Sequence, residues 1–141
     1  MRERLALLFL LLPALVISMS ARESELMYTP APIEVPKGTD PGDVPKAIQA
    51  ALAGRGWSMD KESVPDSGGA GEIIATLNVR VHTVTIRFEF DAGRIQIHYV
   101  STTNMGYKES KSNKLLIHPK YTQWLKNLEK GLKDELLRMR K

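Results

Sequence analysis

A chain of 141 residues has room for one domain with an ordinary core. Its formal charge of +4 is too small to demand a polyanionic partner. With no cysteine, it has neither disulfides nor an N-terminal lipid anchor on cysteine, so the core alone must hold the fold and the mature protein is expected to be soluble.

The chain opens with Arg2 and Arg4, then an apolar run of 13 residues from Leu5 to Ile17, then Ser18-Met19-Ser20-Ala21. A positive start, a short apolar stretch and small residues at cleavage positions describe a secretory signal peptide over residues 1–21, cut after Ser20 or Ala21. An uncleaved anchor fits less well, because the run falls short of the ~20 residues needed to span a bilayer. Losing Arg2, Glu3 and Arg4 lowers the net charge to +3, which suits an anionic envelope surface without requiring one. The internal string Lys133-Asp134-Glu135-Leu136 carries no retention meaning away from the C-terminus.

Residues 22–42 are polar and punctuated by Pro30, Pro32, Pro36 and Pro41, which predicts an extended arm, with Ile33 to Val35 as a candidate edge strand. The domain proper is expected over 43–141. Asp43 as cap and Pro45 in the first turn predict a helix with Val44, Ile48, Ala51 and Leu52 on one face, stopped by Gly54. Trp57 and Met59 alternate with Ser58 and Asp60 as in a strand, and Val64 to Gly71 reads as a flexible loop.

The most strongly patterned stretch is Glu72 to Ser101. Ile73, Ala75, Leu77, Val79 and Val81 alternate with polar neighbours. The phase then flips to Val84, Ile86, Phe88 and Phe90, and after Asp91-Ala92-Gly93-Arg94 to Ile95, Ile97 and Tyr99. A strand cannot change phase, so the chain turns or bulges near His82-Thr83, and it turns again at Asp91–Arg94. A turn is the better reading near His82-Thr83, because one unbroken strand to Asp91 would be far too long. Pairing Phe90 with Ile95, Phe88 with Ile97 and Ile86 with Tyr99 puts the apolar side chains on one dry face. It sets Arg87 opposite His98 and Glu89 opposite Gln96 on a wet one, where Arg80 is also expected. A polar segment from Thr102 to Lys114 follows, the sort of long loop that is either functional or mobile. Pro119 then starts a last helix whose stripe is Tyr121, Trp124, Leu125, Leu128, Leu132, Leu136 and Met139, with Lys126, Lys130, Lys133 and Arg140 on its wet side.

Arg55-Gly56-Trp57, Arg80-x-His82, Tyr99 with Asn104 and Tyr107, and Ile117-His118-x-x-Tyr121-x-x-Trp124 occur in that order. This series resembles the motifs of a family of small exported proteobacterial proteins, many of them called lipoproteins or hypothetical proteins, over roughly residues 28–130. The resemblance implies a bacterial envelope location and brings no activity with it. The chain departs from the lipoprotein members in lacking the lipid-bearing cysteine.

Catalytic chemistry is thinly represented. His82, His98 and His118 lack ligand spacing and acidic or cysteine companions, so no metal is expected. No Gly-x-Ser-x-Gly elbow occurs, and the serines around Ser101 and Ser110 have nothing to activate them. Asp60, Glu62 and Asp66 read as solvated charge. Gly68-Gly69-Ala70-Gly71 precedes a strand instead of opening a helix, so it is no phosphate cradle. The wet face carries Ile74, Thr76, Asn78, Arg80, Thr85, Arg87, Gln96 and His98 without an aromatic for base stacking, which argues against nucleic acid. Arg80 and Arg87 read first as charges that keep an open sheet face solvated and only then as ligand contacts, and Tyr121 and Trp124 fall in the core stripe.

The sequence therefore predicts an α+β two-layer sandwich, an antiparallel sheet of four or five strands with two helices on one face. The expected role is non-catalytic: a periplasmic or envelope-associated binding protein, without cofactor, contacting an envelope protein or anionic component. Arg80, His82, Arg87, His98, Asn104 and Tyr107 are its candidate binding residues. The alternative is a small envelope hydrolase acting on cell-wall or glycan material, with His82 or His98 transferring the proton.

Overall fold

The computed structural model describes residues 24–65 and 69–140; the predicted signal peptide and Asp66 lie outside them. In chain order the elements are β1 (Glu25–Leu26), β2 (Ile33–Glu34), α1 (Asp43–Gly54), β3 (Ser58–Ser63), β4 (Gly71–Val79) and β5 (His82–Phe90). There follow β6 (Arg94–Thr103), β7 (Lys108–Glu109), β8 (Leu115–Ile117) and α2 (Pro119–Met139). The main sheet is antiparallel with order β2-β6-β5-β4-β3. It has five strands, the larger of the two predicted numbers, because Ile33–Glu34 of the arm adds an edge beside β6.

Its inner face carries Ile73, Ala75, Leu77, Val84, Ile86, Phe88, Phe90, Ile95 and Ile97, all buried. Val44, Ile48, Ala51 and Leu52 of α1 join them, as do Tyr121, Leu125, Leu128, Leu132 and Leu136 of α2, in one continuous core. Removing a large aliphatic or aromatic side chain from water stabilises by about 1.5–3 kcal/mol, so the alternating strands and the two helical stripes together account for the two-layer α+β architecture. The β5–β6 register is the one expected, with Phe90 opposite Ile95, Phe88 opposite Ile97, Arg87 opposite His98 and Glu89 opposite Gln96. A bulge between Tyr99 and Ser101 leaves Val100 unpaired and turned outward.

Several local expectations are corrected. The β4–β5 turn is Arg80-Val81, not His82-Thr83: Val79 pairs with His82, and Arg80 adopts a φ of 56°. Arg80 therefore stands in the turn and not on the wet sheet face. Both registers keep the alternation in phase, since each has a two-residue loop, and side-chain bonds described below hold the observed one. Helix α1 is preceded by Gly42, and Asp43 sits inside its first turn, making no capping bond but placing its charge at the positive helix end.

At the other end α1 stops at Gly54 as expected, and the left-handed residue that turns the chain away is Gly56 (φ 79°). There the Trp57 amide donates to the Leu52 carbonyl (2.9 Å) and Gly56 to Ala53 (3.4 Å), so Arg55-Gly56-Trp57 is a helix-ending motif that seats Trp57 in the core. Gly71 belongs to β4, not to the preceding loop. A Cβ there would meet Phe90 Cζ at 2.6 Å and the Ser63 carbonyl at 2.8 Å.

The arm and the polar segment 102–114 hold more structure than expected. They form a second antiparallel sheet, order β1-β8-β7, which was not predicted. Met105 plugs the core, its carbonyl accepts from the His118 amide (2.7 Å), and Tyr107 stacks on Tyr99 with ring centres 4.7 Å apart. The segment is thus pinned at three places.

Candidate functional site

Where the β4–β5 turn meets the start of α2, a cleft of about 490 Å³ is lined by Val79, Arg80, His82, His118, Lys120 and Trp124. Its residues come from two strands and a helix that are remote in sequence, and three local arrangements set their chemistry.

The first arrangement fixes His82. Its Nδ1 lies 2.7 Å from the Asn104 carbonyl, and the Asn104 side-chain amide donates to the Val81 carbonyl at 2.8 Å. A carbonyl only accepts, so His82 Nδ1 carries the proton and Nε2 of the neutral ring carries a lone pair. Asn104 has a φ of 57°, a region asparagine tolerates better than most residues, and this places its backbone and side chain on the same turn. These two bonds also select the Arg80-Val81 turn.

The second arrangement is the start of α2. His118 caps the helix, its Nδ1 accepting from the Lys120 amide at 3.0 Å, while the Tyr121 amide donates to the His118 carbonyl at 3.0 Å. The neutral His118 ring then bears its proton on Nε2. Pro119 occupies the first turn, where its missing N–H costs nothing. One helical turn beyond Lys120 stands Trp124, half-buried against the core.

The third is the aromatic packing between them. The His82 ring centre is 5.6 Å from that of His118 and 6.3 Å from Trp124. Among the described residues neither Arg80 nor Lys120 forms an ion pair; the Lys120 ammonium donates to Gln123 at 3.2 Å. Among the described residues no group of three or more histidines, cysteines or acids could hold a metal, so the His82–His118 pair has no third ligand.

The predicted site residues thus separate. Arg80 and His82 line the cleft and Asn104 supports it. Arg87 and His98 face each other on the open side of the sheet, where Glu89 lies 3.8 Å from Arg87 Nη2 and 3.2 Å from His98 Nε2. The His98–Glu89 contact is close enough for an ion pair when the ring is protonated, while His98 Nε2 and Arg87 Nε have no hydrogen-bond partner among the described residues. Tyr107 holds its loop against Tyr99 and does not reach the cleft.

The sequence reading missed the cleft roles of His118, Lys120 and Trp124. The spacing His118-x-Lys120-x-x-x-Trp124 carried a signal, since residues four apart share a helix face and the first turn of a helix is solvent-accessible. Trp124 falls in the apolar stripe as expected, but it is only partly buried against the core and its other side faces the cleft.

No family model matches the chain, and no match is found among curated proteins or solved structures. Of the residues singled out in the sequence, Arg80, His82, His118 and Trp124 line this cleft and Asn104 bonds His82 beside it.

Proposed function

We propose that the protein is an exported, envelope-associated binding module whose working surface is this cleft, with an anionic ligand as its occupant. The observation that carries the reading is the meeting of two cations, Arg80 and Lys120, with an accessible indole around one concavity, where among the described residues neither cation has an ion-pair partner and no carboxylate lines the wall. Pockets of roughly 300–1,000 Å³ with a few convergent polar groups are the usual form of small-molecule sites. The membership in the small exported family, the periplasmic location and an anionic envelope component as partner belong to the same proposal. No helix among the described residues is long and apolar enough to cross a membrane.

The test compares immobilised wild-type domain with an Arg80→Ala/Lys120→Ala variant of matched thermal stability, each exposed to a soluble envelope extract. Retained anions are identified by mass spectrometry. The expected result is an anion held by the wild type and lost from the variant. Equal retention by both, or retention by neither, overturns the reading.

A second reading, a small envelope hydrolase acting on cell-wall or glycan material, draws on the fixed tautomer of His82, whose Nε2 is set to accept a proton. His98 serves it less well, being on the open sheet face beside Glu89 and not among the residues that line the cleft. Glycan turnover by wild type that disappears in His82→Gln, with the fold intact, would move the assignment to this reading.

A further inference from the structure

We propose that the ligand of this cleft is a phosphomonoester carried on a sugar ring. The inference rests on the cleft being the working site and goes further in naming the chemical class.

Charge comes first. Arg80 and Lys120 flank the cleft without a carboxylate partner among the described residues, and the other lining residues are Val79, Trp124 and two imidazoles. A monocarboxylate would leave one of the two cations uncompensated. A phosphomonoester carries a charge of about −1.5 to −2 at neutral pH. It also offers three acceptor oxygens, matching the fork of an arginine and the point charge of a lysine.

Hydrogen-bond sense comes second. His82 donates through Nδ1 to Asn104, which leaves Nε2 as an acceptor, and no described residue donates to it. An ionised phosphate or carboxylate oxygen only accepts and cannot satisfy an acceptor. A ligand that fills this one therefore also brings an O–H or N–H donor, and a ring of hydroxyl groups brings several.

Shape comes third. Trp124 gives a single flat apolar wall, with His82 6.3 Å away from it, centre to centre. A pyranose presents a face of C–H groups to such a wall and its hydroxyls to the sides. A free inorganic phosphate would use the cations and leave the Trp124 wall idle.

The same chemistry occurs in free sugar phosphates and in the phosphorylated headgroup of a glycolipid. Val81, 67% exposed in the turn between the lining residues Arg80 and His82, is an apolar side chain available to a headgroup's apolar continuation.

The experiment titrates the domain with glucose 1-phosphate, glucuronate, inorganic phosphate and adenosine monophosphate, followed by calorimetry and by Trp124 fluorescence in a Trp57→Phe background. Sedimentation with phosphatidylcholine vesicles, with and without monophosphoryl lipid A, supplies the lipid arm. The expected result is that glucose 1-phosphate or the phosphoglycolipid binds about tenfold or more tightly than glucuronate and inorganic phosphate, with the preference weakening at high salt. Arg80→Ala and Lys120→Ala should each weaken binding, and Trp124→Ala should abolish the advantage of the sugar phosphate over inorganic phosphate.

Binding to the doped vesicles alone, sensitive to Val81→Asp, identifies the lipid headgroup as the source. Binding of the free compound alone identifies the soluble one. Glucuronate binding as tightly overturns the phosphomonoester while leaving the cleft in place, and adenosine monophosphate binding more tightly overturns the sugar. If none binds while an envelope anion is still retained through Arg80, the phosphosugar falls and the binding module stands. If nothing is retained, both fall.

Discussion

Arg80 and Asn104 are the two residues whose backbone conformations shape the cleft, and they occupy left-handed φ for different reasons. Asn104 tolerates φ 57° and uses it to bond both the Val81 carbonyl and His82. Arg80 at φ 56° gains no comparable local bond, and for an L-residue with a long side chain this region costs about 1–2 kcal/mol. Glycine would adopt it freely, at an entropic cost of roughly 0.5–1 kcal/mol. The expected outcome of Arg80→Gly is thus a thermal stability unchanged or raised by up to about 1 kcal/mol, together with loss of anion binding. Denaturant unfolding and the retention assay read the two halves separately. A clear drop in stability would show that the Arg80 side chain supports the fold, and its place in the turn would then need no ligand to explain it.

Among the elements, α2 organises the most. Its apolar stripe closes the core and its first two turns present Lys120 and Trp124 to the cleft. Gly131 lets Arg55 lie close, a Cβ there coming within 3.2 Å of Arg55 Nε. It also ties down the arm. Thr122 donates to Glu25 (2.7 Å), and the Tyr28 hydroxyl donates to Glu129 (2.7 Å), the one charged residue buried among those described.

Burial, the bond to Glu129 and its negative charge together push the Tyr28 hydroxyl up to about 12 from the usual 10. A proton held more tightly in the folded chain stabilises fully below pH 10, and that contribution is lost as the pH rises through 12. Tyr28→Phe should therefore lose stability at neutral pH, by about 1–3 kcal/mol for leaving Glu129 without its donor. It should also fall less steeply than wild type between pH 10 and 12. The comparison has to be made as a difference, because burial raises Tyr121 still further and wild type and variant share that residue. Parallel pH profiles for the two proteins would show that the Tyr28–Glu129 bond does not link arm to helix.

At the scale of the whole molecule, what could be read in advance follows from periodicity. Two-residue alternation and loop parity suffice to pair Phe90 with Ile95 and to place every inner-face side chain. Parity is blind to a shift of two residues, so it could not distinguish an Arg80-Val81 turn from a His82-Thr83 one. The choice lay with Asn104, more than twenty positions away. Met105 and the small sheet were hidden for a similar reason, since single apolar residues in a polar segment carry no period. The cleft was hidden twice over, because it needs the correct turn register and a helix start brought to it from the far end of the chain.

That same arrangement bears on export. Glu25 pairs with Ile117 and bonds Thr122, which places the chain entering the fold at the end of α2 that carries the cleft. Cleavage after Ser20 or Ala21 would leave four or three residues between the new N-terminus and Glu25. Expression of the full chain in a bacterium, followed by intact-mass measurement of the osmotically released fraction, is expected to give a protein starting at Ala21 or Arg22. Replacing Ser20 and Ala21 with bulky residues should shift it to the membrane fraction with residues 1–21 still attached. Recovery of the unprocessed wild-type chain in the cytosol would remove the envelope from the proposed function, and with it the glycolipid as a source of ligand, while leaving the charge and hydrogen-bond sense of the cleft to select among soluble sugar phosphates.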